Sequence, residues 1–174
     1  MEASRQRRRR FLVRTGAGAL ALSWAAAARA LDTPVGKVIL TITGRLTEPN
    51  IEGGAAFDLA LLRRLPMHSF TTTTPWYPRP RKFSGVLVRD LLTTVGARAT
   101  TLKAVALNDY RVDIPIDDLM QHGALLAYLL DDNPMPVRDK GPLVIIYPFD
   151  DKPELRSAVH YSRAIWQLRS LELR

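Results

Sequence analysis

Hydrophobic and polar positions along this chain follow two periods, a strand-like alternation and a helical spacing. Val38 to Gly44 is a β-branched run that stops at glycine, which predicts a strand. Ala56 to Leu65 carries a helical pattern ended by Pro66. Ser69 to Thr74 is again β-prone, and the prolines of Pro75–Arg81 predict an irregular, stiffened loop around Trp76 and Tyr77. Apolar residues at helical spacing fill Val86 to Val95, with Gly96 as the stop. Leu102–Leu107 and Arg111–Pro115 read as two strands joined through the turn-prone Asn108-Asp109-Tyr110. A short helix is expected over Ile116 to His122, ended by Gly123. Ala124–Leu130 and Leu143–Tyr147 are continuous apolar runs that suit buried strands, with loop composition in Asp131-Asp132-Asn133-Pro134 between them. Trp166 to Leu173 alternates apolar and polar, as a half-buried last strand would. The pattern argues an α+β domain: a mixed β-sheet with short helices on its edge.

Residues 1–30 break this pattern. Six arginines between Arg5 and Arg14 precede an uncharged apolar run from Thr15 to Ala28, and Ala28-Arg29-Ala30 supplies a small-x-small site. This is the layout of a cleaved signal peptide, with cleavage expected before Leu31 and the periplasm as destination. The apolar run is shorter than the roughly 20 residues a membrane-spanning helix needs. Arg8-Arg9-Arg10-Phe11-Leu12 resembles a twin-arginine signal, and the general secretory route stays open beside it.

The signal changes the charge argument. The whole chain carries 25 Lys and Arg against 17 Asp and Glu, a net of +8. Seven of those Arg and one of those Glu fall in residues 1–30, so residues 31–174 hold 18 against 16. A nucleic-acid reading needs a basic folded surface and loses its support. Residues 31–174 suit one domain with one core. Cysteine is absent, which excludes disulfides, zinc-thiolate sites and a catalytic thiol.

Catalytic motifs are missing too. The sequence contains no G-x-S-x-G, G-x-x-x-x-G-K or G-x-G-x-x-G, and Ser84 in Phe83-Ser84-Gly85 lacks the setting of a nucleophile elbow. His68, His122 and His160 are widely spaced, so only tertiary approach would make them metal ligands, and no metal is expected. Asp117-Asp118 reads as a helix start and Asp131-Asp132 as a solvated loop. What remains is a set of loop aromatics and polar groups: Trp76 and Tyr77, Asn108-Asp109-Tyr110, Met135, Arg138 and Lys140, then Arg163 and Trp166.

From Phe83-Ser-Gly-Val-Leu-Val-Arg-Asp-Leu-Leu92 onward the order of marks resembles the molybdopterin-binding domain of the sulfite oxidase superfamily. Asn108-Asp109-Tyr110 before a strand ending in Ile114-Pro115, then Gly141-Pro142-Leu143, Tyr147-Pro148 and the final strand continue the likeness over about residues 35–174. The resemblance implies the sulfite-oxidase-like fold. In enzymes of that superfamily a cysteine thiolate binds molybdenum, and this chain has none. The basic residue usual in the last motif is replaced by Trp166.

Thr74-Pro75-Trp76, Leu107-Asn108-Asp109-Tyr110, Met135-x-x-Arg138-x-Lys140-Gly141-Pro142 and Tyr161-Ser162-Arg163-x-Ile165-Trp166-Gln167 are similar to a non-catalytic branch of small periplasmic pterin-binding proteins. That likeness implies a neopterin- or monapterin-like ligand without molybdenum. It also implies signalling to the periplasmic domain of a membrane-bound GGDEF/EAL-type cyclic-di-GMP enzyme. A flat pterin needs a rigid aromatic face, for which Trp76 is the first candidate. Its paired donors match a carboxylate, with Asp109 the best-placed acid and Asn108 beside it. Arg163 is expected to serve the acceptors, and Tyr110 or Trp166 to close the second face. The rival readings are a molybdopterin-dependent oxidoreductase, or an accessory subunit, with atypical metal ligation.

Overall fold

The computed structural model describes residues 31–174; the expected signal peptide, residues 1–30, lies outside them. The strands are β1 (Leu40–Gly44), β2 (Gly54–Phe57), β3 (Met67–Thr74), β4 (Tyr77–Leu87), β5 (Thr101–Ala106), β6 (Arg111–Pro115), β7 (Leu125–Leu130), β8 (Asn133–Pro134), β9 (Val144–Ile146) and β10 (Leu168–Leu173). The helices are α1 (Leu59–Leu62), α2 (Val88–Thr94), α3 (Ile116–His122) and α4 (Ala158–Arg163). None of the described helices is long and apolar enough to cross a membrane.

Two sheets form where the sequence suggests one. The first runs β2-β1-β10-β5-β6, and the second β3-β4-β7, with β8 and β9 sharing the far edge of β7. The first sheet is mixed: β1 and β10 pair in parallel, Thr41 opposite Ser170, and its other pairings are antiparallel. The alternation in β5 sends Leu102, Ala104 and Ala106 inward and leaves Lys103 facing out. By contrast β7 lies between β4 and β9, so Leu125, Leu126, Ala127 and Tyr128 are all buried and no alternation survives. One contiguous core joins both sheets to Leu91 and Leu92 of α2 and Leu119 of α3.

Several boundaries differ from the sequence reading for identifiable reasons. The helix expected from Ala56 is a buried strand first, because Gly54–Phe57 pairs with β1. Asp58 then starts α1: its carboxylate accepts from the Leu61 amide at 2.8 Å. The proline-rich segment is not an irregular loop. Only Pro75 and Trp76 form the turn, and Tyr77 to Leu87 is one long strand. Pro78 and Pro80 are accommodated where β4 has not yet met β7 and its register with β3 slips between Thr72 and Thr74.

The expected loop at Asp131-Asp132 is a tight hairpin with both residues at positive φ, 47° and 63°. Gly123 ends α3 at φ 64°, as read. The helix α4 was not anticipated; Ser157 caps it by accepting from the His160 amide.

Candidate functional site

The β3–β4 turn, the β5–β6 turn and the segment from α4 into β10 meet at one end of the molecule. The β3–β4 turn delivers Trp76. It is held there by Asp150, which accepts from the Thr73 amide at 2.7 Å and from its hydroxyl, and pairs with Arg156 at 2.8 Å. The Thr73 hydroxyl, then its amide and Arg156, keep the Asp150 carboxyl below the ordinary carboxylate range.

The β5–β6 turn is closed by its own side chain. Asn108 Oδ1 accepts from the Tyr110 amide at 3.1 Å, and Asp109 sits at φ 64°, a conformation that aspartate tolerates better than most residues. Gln167, at φ 52°, breaks the last strand. β10 therefore begins at Leu168, and Trp166 is free to face the other aromatic rings. A close approach fixes the segment behind it. Gly141 donates to the Pro136 carbonyl at 2.9 Å, and a Cβ at Gly141 would lie 2.0 Å from the Met135 carbonyl oxygen, so no other residue fits there unchanged.

These elements enclose a cavity of about 240 Å³ with Trp76, Tyr110, Tyr161 and Trp166 in its walls and Asn108 and Ser162 as polar neighbours. Trp76 and Trp166 meet edge to face, centroids 5.2 Å apart at 79°, and Trp76 meets Tyr161 the same way at 6.0 Å and 84°. Tyr110 reaches across and donates to the Ser162 carbonyl at 3.0 Å, tying the β5–β6 turn to α4. Lys140 stands 5.8 Å from the centroid of Trp166 and 5.3 Å from that of Tyr77. The indole Nε1 of Trp166 is buried and has no hydrogen-bond partner.

Four of the six residues singled out from the sequence, Trp76, Asn108, Tyr110 and Trp166, line this cavity. The other two do not. Asp109 turns outward and accepts from Arg169 at 2.7 Å, and Arg163 points to the far side of α4, donating to Asp118 at 2.9 Å. The acid expected to read a pterin edge is thus engaged elsewhere. Asn108, Ser162, Gln167, the hydroxyls of Tyr110 and Tyr161 and main-chain groups are the polar groups in the cavity lining. Tyr161, Ser162 and Gln167 also line it, and they lie in the motif Tyr161–Gln167, where residue type alone marks only Arg163 and Trp166 as ligand groups.

The far side of α4 holds a second group. Asp118 Oδ1 accepts from Arg163 and lies 3.1 Å from His160 Nε2 and 3.8 Å from His122 Nε2; Tyr147 donates to Oδ2 at 2.6 Å. Burial, and then the hydrogen bond to Asp118, push the Tyr147 hydroxyl far above its ordinary pKa, so it stays protonated. Residue spacing gave no sign of this cluster, since His160 is 42 positions from Asp118.

The fold is that of a sulfite-oxidase-like α+β domain. The sequence profile described as "Oxidoreductase molybdopterin binding domain" matches residues 39–149, more than half of the chain, and the protein belongs to that family. The crystal structure of the sulfane dehydrogenase SoxCD from Paracoccus pantotrophus superposes with a TM-score of 0.58 at 16% identity, over 77% of this chain and 37% of that one. The likeness is one of fold, and this chain spans little more than a third of its neighbour's length. No curated protein sequence matches.

The residues present fit the two parts of a molybdenum cofactor differently. Aromatic walls packed edge to face, with few charged neighbours, suit a flat heteroaromatic ring. The cavity lining contains no thiolate, imidazole or carboxylate, so the walls offer a metal none of its usual ligands.

Proposed function

We propose that this protein binds a free pterin, of the neopterin or monapterin kind, in the aromatic cavity and has no catalytic molybdenum centre. It would act in the periplasm as a sensor that passes pterin occupancy to a membrane-bound GGDEF/EAL-type protein. The observation that carries the reading is a cavity with the faces for a flat ring and no side chain to ligate a metal. Trp76, Tyr161 and Trp166, packed against one another, would offer one aromatic wall for the ring to lie against, and Asn108 and Ser162 would meet its polar edge.

The signalling arm rests on the sequence resemblance. A physical route for it exists in the Tyr110–Ser162 hydrogen bond, which joins two surface elements across the cavity. A ligand that shifts either element changes the outer surface a partner would touch.

Family membership is also compatible with a second reading, a molybdopterin-dependent oxidoreductase or accessory subunit with atypical metal ligation. Purifying the protein from its periplasmic fraction, identifying any co-purified fluorescent compound and measuring molybdenum separates the two. A stoichiometric pterin without molybdenum supports the sensor. Stoichiometric molybdenum with turnover of an electron donor refutes it.

A further inference from the structure

Asp118 and His122 lie one turn apart on α3, so their side chains share a face of the helix. His160 arrives from α4 and presents its Nε2 to the same carboxylate oxygen. The ligand atoms of all three residues lie within 4.8 Å of one another, and their side chains are only 10%, 17% and 13% exposed. Among the described residues this is the one such group. A tetrahedral ion with bonds of about 2.0–2.1 Å holds neighbouring donors about 3.3 Å apart. The two measured separations, 3.1 and 3.8 Å from Asp118 Oδ1, bracket that value.

The surroundings also match a ligand set. Ser157 Oγ lies 2.9 Å from His160 Nδ1, which leaves Nε2 as the nitrogen turned to Asp118, and Tyr147 fixes the second carboxylate oxygen. His122 Nδ1 is buried and without a hydrogen-bond partner, so no contact at that nitrogen ties the ring down.

We propose that Asp118, His122 and His160 form a binding site for a divalent transition cation of the zinc class. Two imidazoles and one carboxylate select zinc, cobalt or nickel over magnesium and calcium, which prefer all-oxygen shells. Arg163 is the built-in competitor, because its guanidinium occupies the same carboxylate oxygen. A guanidinium and a dication sharing one oxygen repel strongly. The ion therefore takes Asp118 from Arg163, whose side chain already reaches solvent at 19% exposure. With the ion bound, α3 is tied to α4, the helix whose Tyr161 and Ser162 wall the aromatic cavity. The site stands whether or not that cavity holds a pterin.

The full chain, stripped with a chelator, is titrated with Co2+ by visible absorption and with Zn2+ by calorimetry. One ion per chain is expected, with the intense bands of low-coordinate cobalt. His122→Gln and His160→Gln should each weaken binding tenfold or more, whereas Arg163→Gln should tighten it. Absence of saturable binding to the unsubstituted chain overturns the proposal without any variant having to fold. Affinity unchanged from that of the unsubstituted chain in the two histidine variants overturns it as well, because the ion would then sit elsewhere.

Discussion

The two sides of α4 differ in kind. One side meets Trp76 through Tyr161 and borders the aromatic cavity; the other meets Asp118 through His160 and Arg163 in a polar cluster. The first is joined by ring contacts 5–6 Å between centroids, the second by charge-assisted hydrogen bonds of about 3 Å. A cavity with rigid aromatic walls can accept a ligand at little reorganisation cost. The polar cluster instead fixes where the wall stands, through the bonds of Asp118 to Arg163, His160 and Tyr147. Six helical residues thus have one face on the aromatic cavity and one polar face that holds them to α3.

The largest effect should come from breaking the polar side. Asp118→Ala strands Arg163 and the Tyr147 hydroxyl in a poorly hydrated place, and removing one partner of such a buried pair costs about 3–5 kcal/mol. Chemical denaturation of the variant should show a loss of that order. A loss near zero would mean that α4 is held by its apolar contacts alone.

The cavity side should respond in ligand affinity. Trp76→Ala removes a stacking face worth about 1–3 kcal/mol per ring, so pterin binding should weaken roughly tenfold or more. Circular dichroism should still report a folded chain, since Trp76 sits in a turn outside the strands.

A pH series sharpens the comparison within the cavity side. Asp150, which pins the β3–β4 turn, has a carboxyl held low by Thr73 and Arg156. A depressed carboxylate contributes stability above its unfolded pKa of about 3.9, and loses it as pH falls through the lower folded value. The difference in melting temperature between the unsubstituted chain and Asp150→Asn should therefore be full at neutral pH and close below about pH 3.9. A gap independent of pH would assign the effect to shape rather than charge.

The smallest effect is expected at Asp109. Its partner is Arg169 on the exposed surface, and such pairs contribute about 0–1 kcal/mol. Asp109→Asn should leave pterin affinity unchanged, whereas Asn108→Ala should reduce it. Equal losses in both would return Asp109 to the ligand site.

Most strands were legible because burial leaves a period. The continuous run of β7 and the alternation of β5 and β10 each reflect which faces meet the core. Composition misled at Pro78 and Pro80, where pairing on one edge and a slipped register admit prolines to a strand. It misled again at Gly54–Phe57, where partnership with β1 overrides helical spacing.

Within the site, aromatic residues in turns were found by type, since turn rings that converge make a cavity. The destinations of Asp109 and Arg163 depended on Arg169 and Asp118, which lie 60 and 45 positions away and leave no local trace. The approach of His122 and His160 escaped for the same reason.

Ligand occupancy of the aromatic cavity can be measured by titrating neopterin into the purified full chain and following quenching of tryptophan fluorescence. Trp76 and Trp166 both face the cavity, so saturable quenching with one pterin per chain is expected, weakened roughly tenfold or more in Trp76→Ala. Absence of saturable quenching, or a curve that Trp76→Ala leaves unchanged, would contradict a pterin site against these rings.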